Sequence, residues 1–153
     1  MNELRRKDRA MPASNAEDLL IRGEYGVLST VGADGQPYGV PLSYVYQNGC
    51  IYFHCALEGH KLDNMAEHPK VSFCVVGRTR ILPDLFATDY ESVVAFGVAS
   101  EVRGGERQSA LLGLLEKYSP TYIEEGKRYV DQKEKVTRVM KIEIGHISGK
   151  ARR

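Results

Sequence analysis

An Asn-Gly dipeptide at positions 48–49 lies between two stretches rich in tyrosine, valine and other strand-forming residues. Asn-Gly is the strongest short signal for a two-residue β-hairpin turn, because both residues of that turn take positive φ angles. The flanking stretches, 38–46 and 50–55, therefore predict two antiparallel strands. Glycines 32 and 35 predict a turn that joins the first of these to another strand over 25–31. We expect residues 25–55 to form a three-stranded antiparallel meander.

The rest of the chain alternates between helical and strand-like patterns. Four helices are predicted, at 15–22 (after the capping-box residue Ser14), 58–67, 106–118 and 119–133. Three further strands are predicted at 70–76, 90–102 and 136–147. The remaining segments are predicted to be an N-terminal arm over 1–12, a loop over 77–89 and a basic tail over 148–153. Pro41 lacks a backbone donor and predicts an edge, a bulge or a bend in its strand, and Gly97 predicts another bend.

Six strands, with helices inserted after the third and the fifth, predict a mainly β protein. The expected architecture is a small curled antiparallel barrel with peripheral helices, because a parallel sheet would need helices alternating with strands from the start. A length of 153 residues fits a single domain over 1–153.

Charge and composition exclude several functional classes. The 21 Lys and Arg residues nearly balance 20 Asp and Glu residues, so a broad basic surface for nucleic acid or anionic lipid is not expected. No apolar run is long enough to span a membrane, and the charged N-terminus lacks the apolar region of a signal peptide. The three cysteines form no C-x-x-C pair and suit reduced thiols. We therefore expect a cytoplasmic protein without a membrane or nucleic-acid partner.

The segment after the third predicted strand has the pattern of an anion-binding site. Gly59 precedes a helix whose first turn carries His60 and Lys61, with Asn64 one turn later. A helix N-terminus offers unpaired N–H groups and the positive end of the helix dipole, and a lysine adds charge for a phosphate or carboxylate. The same residues also suit a solvated surface helix, and their pattern alone does not decide between the two.

His54 ends the third predicted strand and has several interpretations. It can be a hydrogen-bonded structural residue or a catalytic group, since imidazole titrates near neutral pH. A metal site from His54, His60 and His68 matches no standard zinc spacing, so no metal is predicted. Cys55 adjoins His54, but neighbouring residues of a strand point to opposite faces, so the two side chains should not meet. Several tyrosines on these strands can either pack a barrel or line a face for a planar aromatic ligand.

Residues 25–77 resemble the pyridoxamine 5′-phosphate oxidase-like, FMN-binding split-barrel superfamily, and within it the nitroimidazole-resistance (Nim-type) group. The most specific runs are D-G-Q-P-Y-G-V-P-L at 34–42 and F-H-C-A-L-E-G-H-K-L-D-N at 53–64. Segments 5–11, 89–99 and 146–153 extend the likeness over nearly the whole chain.

The resemblance implies a six-stranded Greek-key split barrel that forms a homodimer, with two flavin sites at the interface, each built from both chains. It implies that the FMN phosphate lies against His60, Lys61 and Asn64. It implies that the flavin ring lies along two strands at Val40, Pro41, Leu42, Phe53, His54 and Cys55, and that the partner chain supplies Ser92, His146, Gly149 and Lys150. His54 matches a histidine that has been associated with activity in the Nim-type group, and it is the predicted catalytic residue.

The implied function is that of an FMN-dependent oxidoreductase that reduces a small molecule such as a nitroaromatic or 5-nitroimidazole compound. The chain has no G-x-G-x-x-G fingerprint, so NAD(P)H would act as a transient electron donor. It also lacks the C-terminal motif of the vitamin B6 oxidases, so oxidation of pyridoxine phosphate is not predicted. Relatives in this superfamily bind FAD, heme or the deazaflavin F420, which leaves a flavin- or heme-binding carrier or sensor without turnover, or a cofactor-free interaction protein, as alternatives.

Overall fold

In a computed structural model, which describes residues 2–153, seven β-strands form one antiparallel sheet in the order β2-β1-β5-β6-β7-β4-β3. The strands are β1 (Gly26–Val31), β2 (Pro37–Leu42), β3 (Val45–Gln47), β4 (Cys50–Cys55), β5 (Lys70–Leu82), β6 (Ala87–Glu101) and β7 (Arg138–Arg152). The helices are α1 (Ala13–Arg22), α2 (His60–Glu67), α3 (Gly104–Tyr118) and α4 (Ile123–Gln132), and short 3-10 turns cover Lys7–Arg9, Pro83–Leu85 and Glu134–Val136.

Strands β2 and β3 are consecutive in the chain but lie at opposite edges of the sheet. Only two residues separate them, so the sheet must curl until its two edges approach each other. The result is the mainly β split barrel with peripheral helices that the resemblance implies, but with seven strands in place of the expected six. The prediction of a three-stranded meander is wrong, because β1 pairs with β2 and β3 pairs with β4 in two separate hairpins.

The predicted strand over 38–46 breaks at Tyr44, whose side chain is fully buried. Its hydroxyl donates a hydrogen bond to the Leu20 carbonyl at 2.5 Å, and its ring packs edge-on against Phe73 with centroids 4.9 Å apart. The Lys117 ammonium lies 3.8 Å from the centre of the same ring. Burial raises the pKa of the Tyr44 hydroxyl. The chain leaves the sheet here because one large side chain enters the core.

We expect Tyr44→Phe to lower the free energy of unfolding by about 1–2 kcal/mol, because the Leu20 carbonyl near the end of α1 loses its partner in a dry environment. Urea denaturation followed by circular dichroism measures this change. Tyr25→Phe is the control, since Tyr25 is 58% exposed and we expect a change within about 0.5 kcal/mol. Equal effects of the two substitutions would contradict the role given to this hydrogen bond.

Segment 77–89, predicted as a loop, is mostly strand. It forms the ends of β5 and β6, where Thr79 pairs with Tyr90 and Arg80 with Asp89 after a bulge beyond Val76. Most of these residues are exposed, including the apolar residues Ile81, Leu85 and Phe86, so the hairpin projects from the barrel without the apolar alternation that identifies a strand.

The predicted basic tail is also strand, since β7 continues to Arg152. Of the predicted arm over 1–12, residue 1 lies outside the described residues. Ala10 forms a β-bridge with Lys150, and the Met11 N–H donates to the Gly149 carbonyl at 2.9 Å. Residues 10–11 therefore pair with the C-terminal part of β7, so both ends of the described chain lie at the same part of the sheet.

Two predicted N-caps are wrong, whereas the irregularity expected at Gly97 and the sheet edge that was one expectation for Pro41 are confirmed. α1 begins after Pro12 with Ser14 inside it, and α4 begins at Ile123, so neither Ser14 nor Ser119 is an N-cap. The register of β6 against β7 shifts at Gly97, where a side chain would collide with the Glu143 carbonyl. Pro41 lies on β2, which is an edge strand.

Apolar side chains form two clusters, one on each face of the sheet. The larger fills the barrel and includes Leu28, Tyr44, Ile51, Phe53, Phe73, Val93 and Ile142. The smaller lies between α3 and the outer faces of β3, β4 and β7 and includes Val45, Tyr52, Leu111, Leu114 and Val139.

Candidate functional site

The N-terminus of α2 is open to a ligand. Its N-cap is Gly59, with φ 156° and no side-chain hydrogen bond to the first turn. A side chain built on Gly59 would meet nothing within 4 Å. Backbone N–H groups, the Lys61 ammonium and the His60 ring thus form a donor set on an accessible helix end, and this set fits a phosphate.

Two contacts hold α2 against the first hairpin. The buried Asn64 amide donates to the Thr30 hydroxyl of β1 at 2.9 Å. The His60 ring stacks on Tyr38 of β2, with centroids 4.1 Å apart and an interplanar angle of 27°. The Asn64 side chain therefore positions the helix, whereas His60 and Lys61 remain at its accessible end. No pattern in the sequence indicates a role for Thr30, and Tyr38 is recognisable only as one of several strand tyrosines.

The predicted site residues of β4 lie on two opposite faces of the strand. Phe53 and Cys55 are buried in the barrel core, and His54 is exposed on the other face. The expectation that His54 and Cys55 do not meet is confirmed. Burial raises the pKa of the Cys55 thiol, so that residue stays a neutral thiol at neutral pH. Phe53 can offer a ligand outside the barrel only its backbone atoms.

His54 lies beside a cavity and close to a positive charge. Desolvation lowers the pKa of its imidazole, and the charge of Lys61 lowers the pKa further, although part of the ring is in contact with solvent. The ring is therefore neutral at pH 7, with one donor and one acceptor nitrogen. Neither nitrogen forms a hydrogen bond with any of residues 2–153.

The three predicted residues on β2 do not form one continuous side-chain surface. Val40 and Leu42 are half-buried and face the barrel, since Val40 pairs with the buried Leu28. Pro41 is exposed on the opposite face. A planar ligand along this strand would meet backbone atoms and one proline ring.

The four remaining predicted residues lie elsewhere in the same chain. Ser92 pairs with Lys150 across β6 and β7, and His146 lies near Phe96, with ring centroids 6.1 Å apart. Gly149 is buried, and a side chain there would press on Met11 and Ala16. Val139, which pairs with His54, lies near the other end of β7. One chain therefore does not bring these four residues to α2.

Residues 2–153 contain neither a candidate metal site nor a membrane-spanning helix. No group of three or more His, Cys, Asp and Glu side chains is placed to hold a metal ion. None of the helices in this range is long and apolar enough to cross a membrane.

A curled antiparallel barrel with an open helix N-terminus at the end of an inner strand defines a split-barrel protein with a candidate anion site. The chain belongs to the pyridoxamine 5′-phosphate oxidase family, whose model matches residues 12–151. A comparison with curated proteins found no match.

Several solved structures have a fold similar to that of this chain. A conserved hypothetical protein from Mycobacterium tuberculosis is 25% identical over 97% of this chain and 90% of its own, with a TM-score of 0.81. The FAD and heme binding protein from Mycobacterium smegmatis is 17% identical over 95% of this chain and 73% of its own, also with a TM-score of 0.81. A candidate 5-nitroimidazole antibiotic resistance protein from Bacteroides thetaiotaomicron is 17% identical over 92% of this chain and 85% of its own, with a TM-score of 0.73.

Proposed function

We propose that the protein is an FMN-dependent oxidoreductase that reduces nitroaromatic compounds such as 5-nitroimidazoles. The observation that carries this proposal is the open N-terminus of α2, with Gly59 and Lys61 next to the unpartnered imidazole of His54. Family membership supports a flavin, and the description of the Bacteroides protein supports the substrate class.

In this proposal the first-turn N–H groups of α2 and the Lys61 ammonium hold the FMN phosphate, and Asn64 fixes the helix that carries them. Backbone atoms of Val40–Leu42 hold the edge of the ring. Bound flavin supplies two-electron transfer from a reduced nicotinamide to an organic acceptor. His54 donates a hydrogen bond to the substrate from the N–H of its ring, which stays neutral at pH 7 because its pKa is lowered.

We further propose that the functional unit is a homodimer in the cytoplasm. Ser92, His146 and Lys150 lie on the outer face of β6 and β7, beside the partly exposed apolar residues Val94 and Phe96. A second copy of the chain that packs on this face would bring these side chains to the α2 region of the first. Gly149 would then contribute through its backbone.

The visible absorption spectrum of the purified protein tests the cofactor. We expect the two bands of oxidised flavin, or their appearance with red-shifted features when FMN is added to colourless protein. NADH and NADPH are then supplied with 2-methyl-5-nitroimidazole, and loss of the nicotinamide absorbance measures turnover. A colourless protein that binds no added FMN would overturn the proposal.

A heme- or flavin-binding carrier without turnover is the second candidate. The unpartnered, neutral imidazole of His54 favours it, because such a ring would be able to ligate heme iron. The Mycobacterium smegmatis protein of similar fold is described as binding both FAD and heme. A Soret band that disappears in His54→Ala would support this candidate, and a flavin spectrum with steady nicotinamide oxidation would exclude it.

A further inference from the structure

Helices α3 and α4 enclose a cavity of about 630 Å³ with the outer end of β4. Leu111 and Leu114 of α3 and Val130 of α4 form its apolar walls, and His54 lies at its margin. The volume falls within the range of about 300–1,000 Å³ that is usual for small-molecule sites. The sequence predicted both helices but not the space between them.

α4 covers this space without filling it. The helix has an apolar face, yet none of its residues is buried. It packs closely on α3 at Gly126, where a side chain would overlap Leu115. Arg107 of α3 donates to the Thr137 carbonyl at 3.0 Å and to the Glu134 carbonyl at 3.3 Å, which fixes the chain where it returns to β7. These contacts hold α4 at one crossing and at its C-terminal end, so the cavity is part of the folded arrangement.

The cavity offers aromatic faces and unused polar atoms. Tyr122 and Tyr129 line it and are 64% and 61% exposed, and their hydroxyls form no hydrogen bond with residues 2–153. Tyrosine rings favour planar aromatic partners. The Arg107 guanidinium already donates to two backbone carbonyls. The other charged residues of the lining, Glu125 and Lys133, carry opposite charges, so the lining apart from Arg107 has no net charge.

We propose that this cavity is the substrate pocket and that it takes a flat, uncharged aromatic molecule whose polar edge reaches His54. The reaction at this pocket rests on the proposed flavin function, but binding of the aromatic molecule does not. His54 lines the cavity, and it lies near enough to Lys61 for the lysine charge to lower its pKa, so it lies between the pocket and the helix end that is proposed to hold the cofactor phosphate.

Calorimetric titration with 2-methyl-5-nitroimidazole, with and without FMN, tests this pocket. We expect Val130→Trp, which fills the cavity from the α4 side, to weaken binding of the nitroimidazole at least tenfold. Leu112→Trp is the matched control, because Leu112 lies on α3 outside the cavity lining and we expect less than a twofold change. The FMN affinity should stay unchanged in both variants.

Ser119→Trp provides a second filling variant, since Ser119 lines the cavity at the end of α3 and its hydroxyl makes no hydrogen bond within residues 2–153. It replaces Val130→Trp if thermal melting shows that the latter does not fold.

The outcomes of this test distinguish the pocket from the flavin proposal. Unchanged nitroimidazole binding in a folded Val130→Trp or Ser119→Trp variant would overturn the inference. Protein that binds FMN but not the nitroimidazole would overturn it and leave the flavin proposal standing. Protein that binds the nitroimidazole in a Val130-dependent manner without binding FMN would support the pocket and overturn the flavin proposal.

Discussion

Lys61→Ala should weaken FMN binding at least tenfold. A charge-assisted hydrogen bond to phosphate contributes about 1.5–3 kcal/mol, and a tenfold loss corresponds to about 1.4 kcal/mol. The variant should still fold, because Lys61 is half-buried at the first turn of α2, whereas Asn64 and the Tyr38–His60 stack hold that helix in place. Flavin fluorescence quenching during titration with FMN measures the affinity.

Riboflavin provides a sharper comparison, since it carries the same ring without the phosphate. We expect Lys61→Ala to leave riboflavin affinity within about twofold, because the lost contact is to the phosphate. Lys127→Ala controls for a general loss of positive charge, since Lys127 lies on α4 in an exposed ion pair with Glu124. Equal FMN affinity of Lys61→Ala and the unaltered protein would remove Lys61 from the phosphate site.

Glu91→Gln should lower the free energy of unfolding by about 2 kcal/mol at pH 7. The Glu91 carboxylate is 6% exposed and accepts two hydrogen bonds from the Arg22 guanidinium, both at 2.9 Å. It also accepts the Arg78 N–H at 3.0 Å. Breaking a buried ion pair by removing one charge usually costs about 3–5 kcal/mol, and the half-exposed Arg22 reduces that figure.

The same carboxylate gives stability a defined pH dependence. Arg22 lowers the pKa of Glu91 from 4.5 to about 2, chiefly through the side-chain hydrogen bonds. A carboxyl group whose pKa is lower in the folded state stabilises the fold fully above its unfolded pKa, and that contribution is lost as pH falls toward the folded value. The difference between the protein and Glu91→Gln should therefore be constant near neutral pH and shrink between about pH 4.5 and pH 2.

Urea unfolding at several pH values measures this difference. Glu116→Gln is the control, because Glu116 is exposed on α3 and has no ion-pair partner among residues 2–153. A Glu91→Gln difference that is independent of pH across the acidic range would show that the carboxylate acts by packing alone.

Local signals in the sequence were sufficient for much of the fold. Asn48-Gly49 forms the turn between β3 and β4, with positive φ at both residues. The apolar spacing of residues 106–118 identified α3 to within two residues at its start. These elements depend on neighbours within a few positions, which a single sequence contains.

Long-range contacts account for the errors. Nothing near Tyr44 marks a break, because the break depends on Leu20, Phe73 and Lys117, which approach only in the folded barrel. The hairpin beyond Val76 likewise pairs exposed residues without apolar alternation, so its pairing is not visible in the local sequence.

The candidate site also combines local features, which the sequence indicates, with long-range contacts, which it does not. The donor set at Gly59 and Lys61 was recognisable from spacing, since it lies on a single helix end. The Asn64–Thr30 bond and the α3–α4 cavity join residues that are far apart in sequence, so spacing does not indicate them.

β7 is the strand that joins the two parts of the sheet, because it lies between β6 and β4. During synthesis on a ribosome, β4 has only β3 to pair with until the final strand emerges. The barrel can therefore close only after residues 138–152 have been made, and this segment determines when it does. A nascent chain that stalls before this segment would expose the edges of β4 and β6 together, which makes it a natural substrate for chaperones.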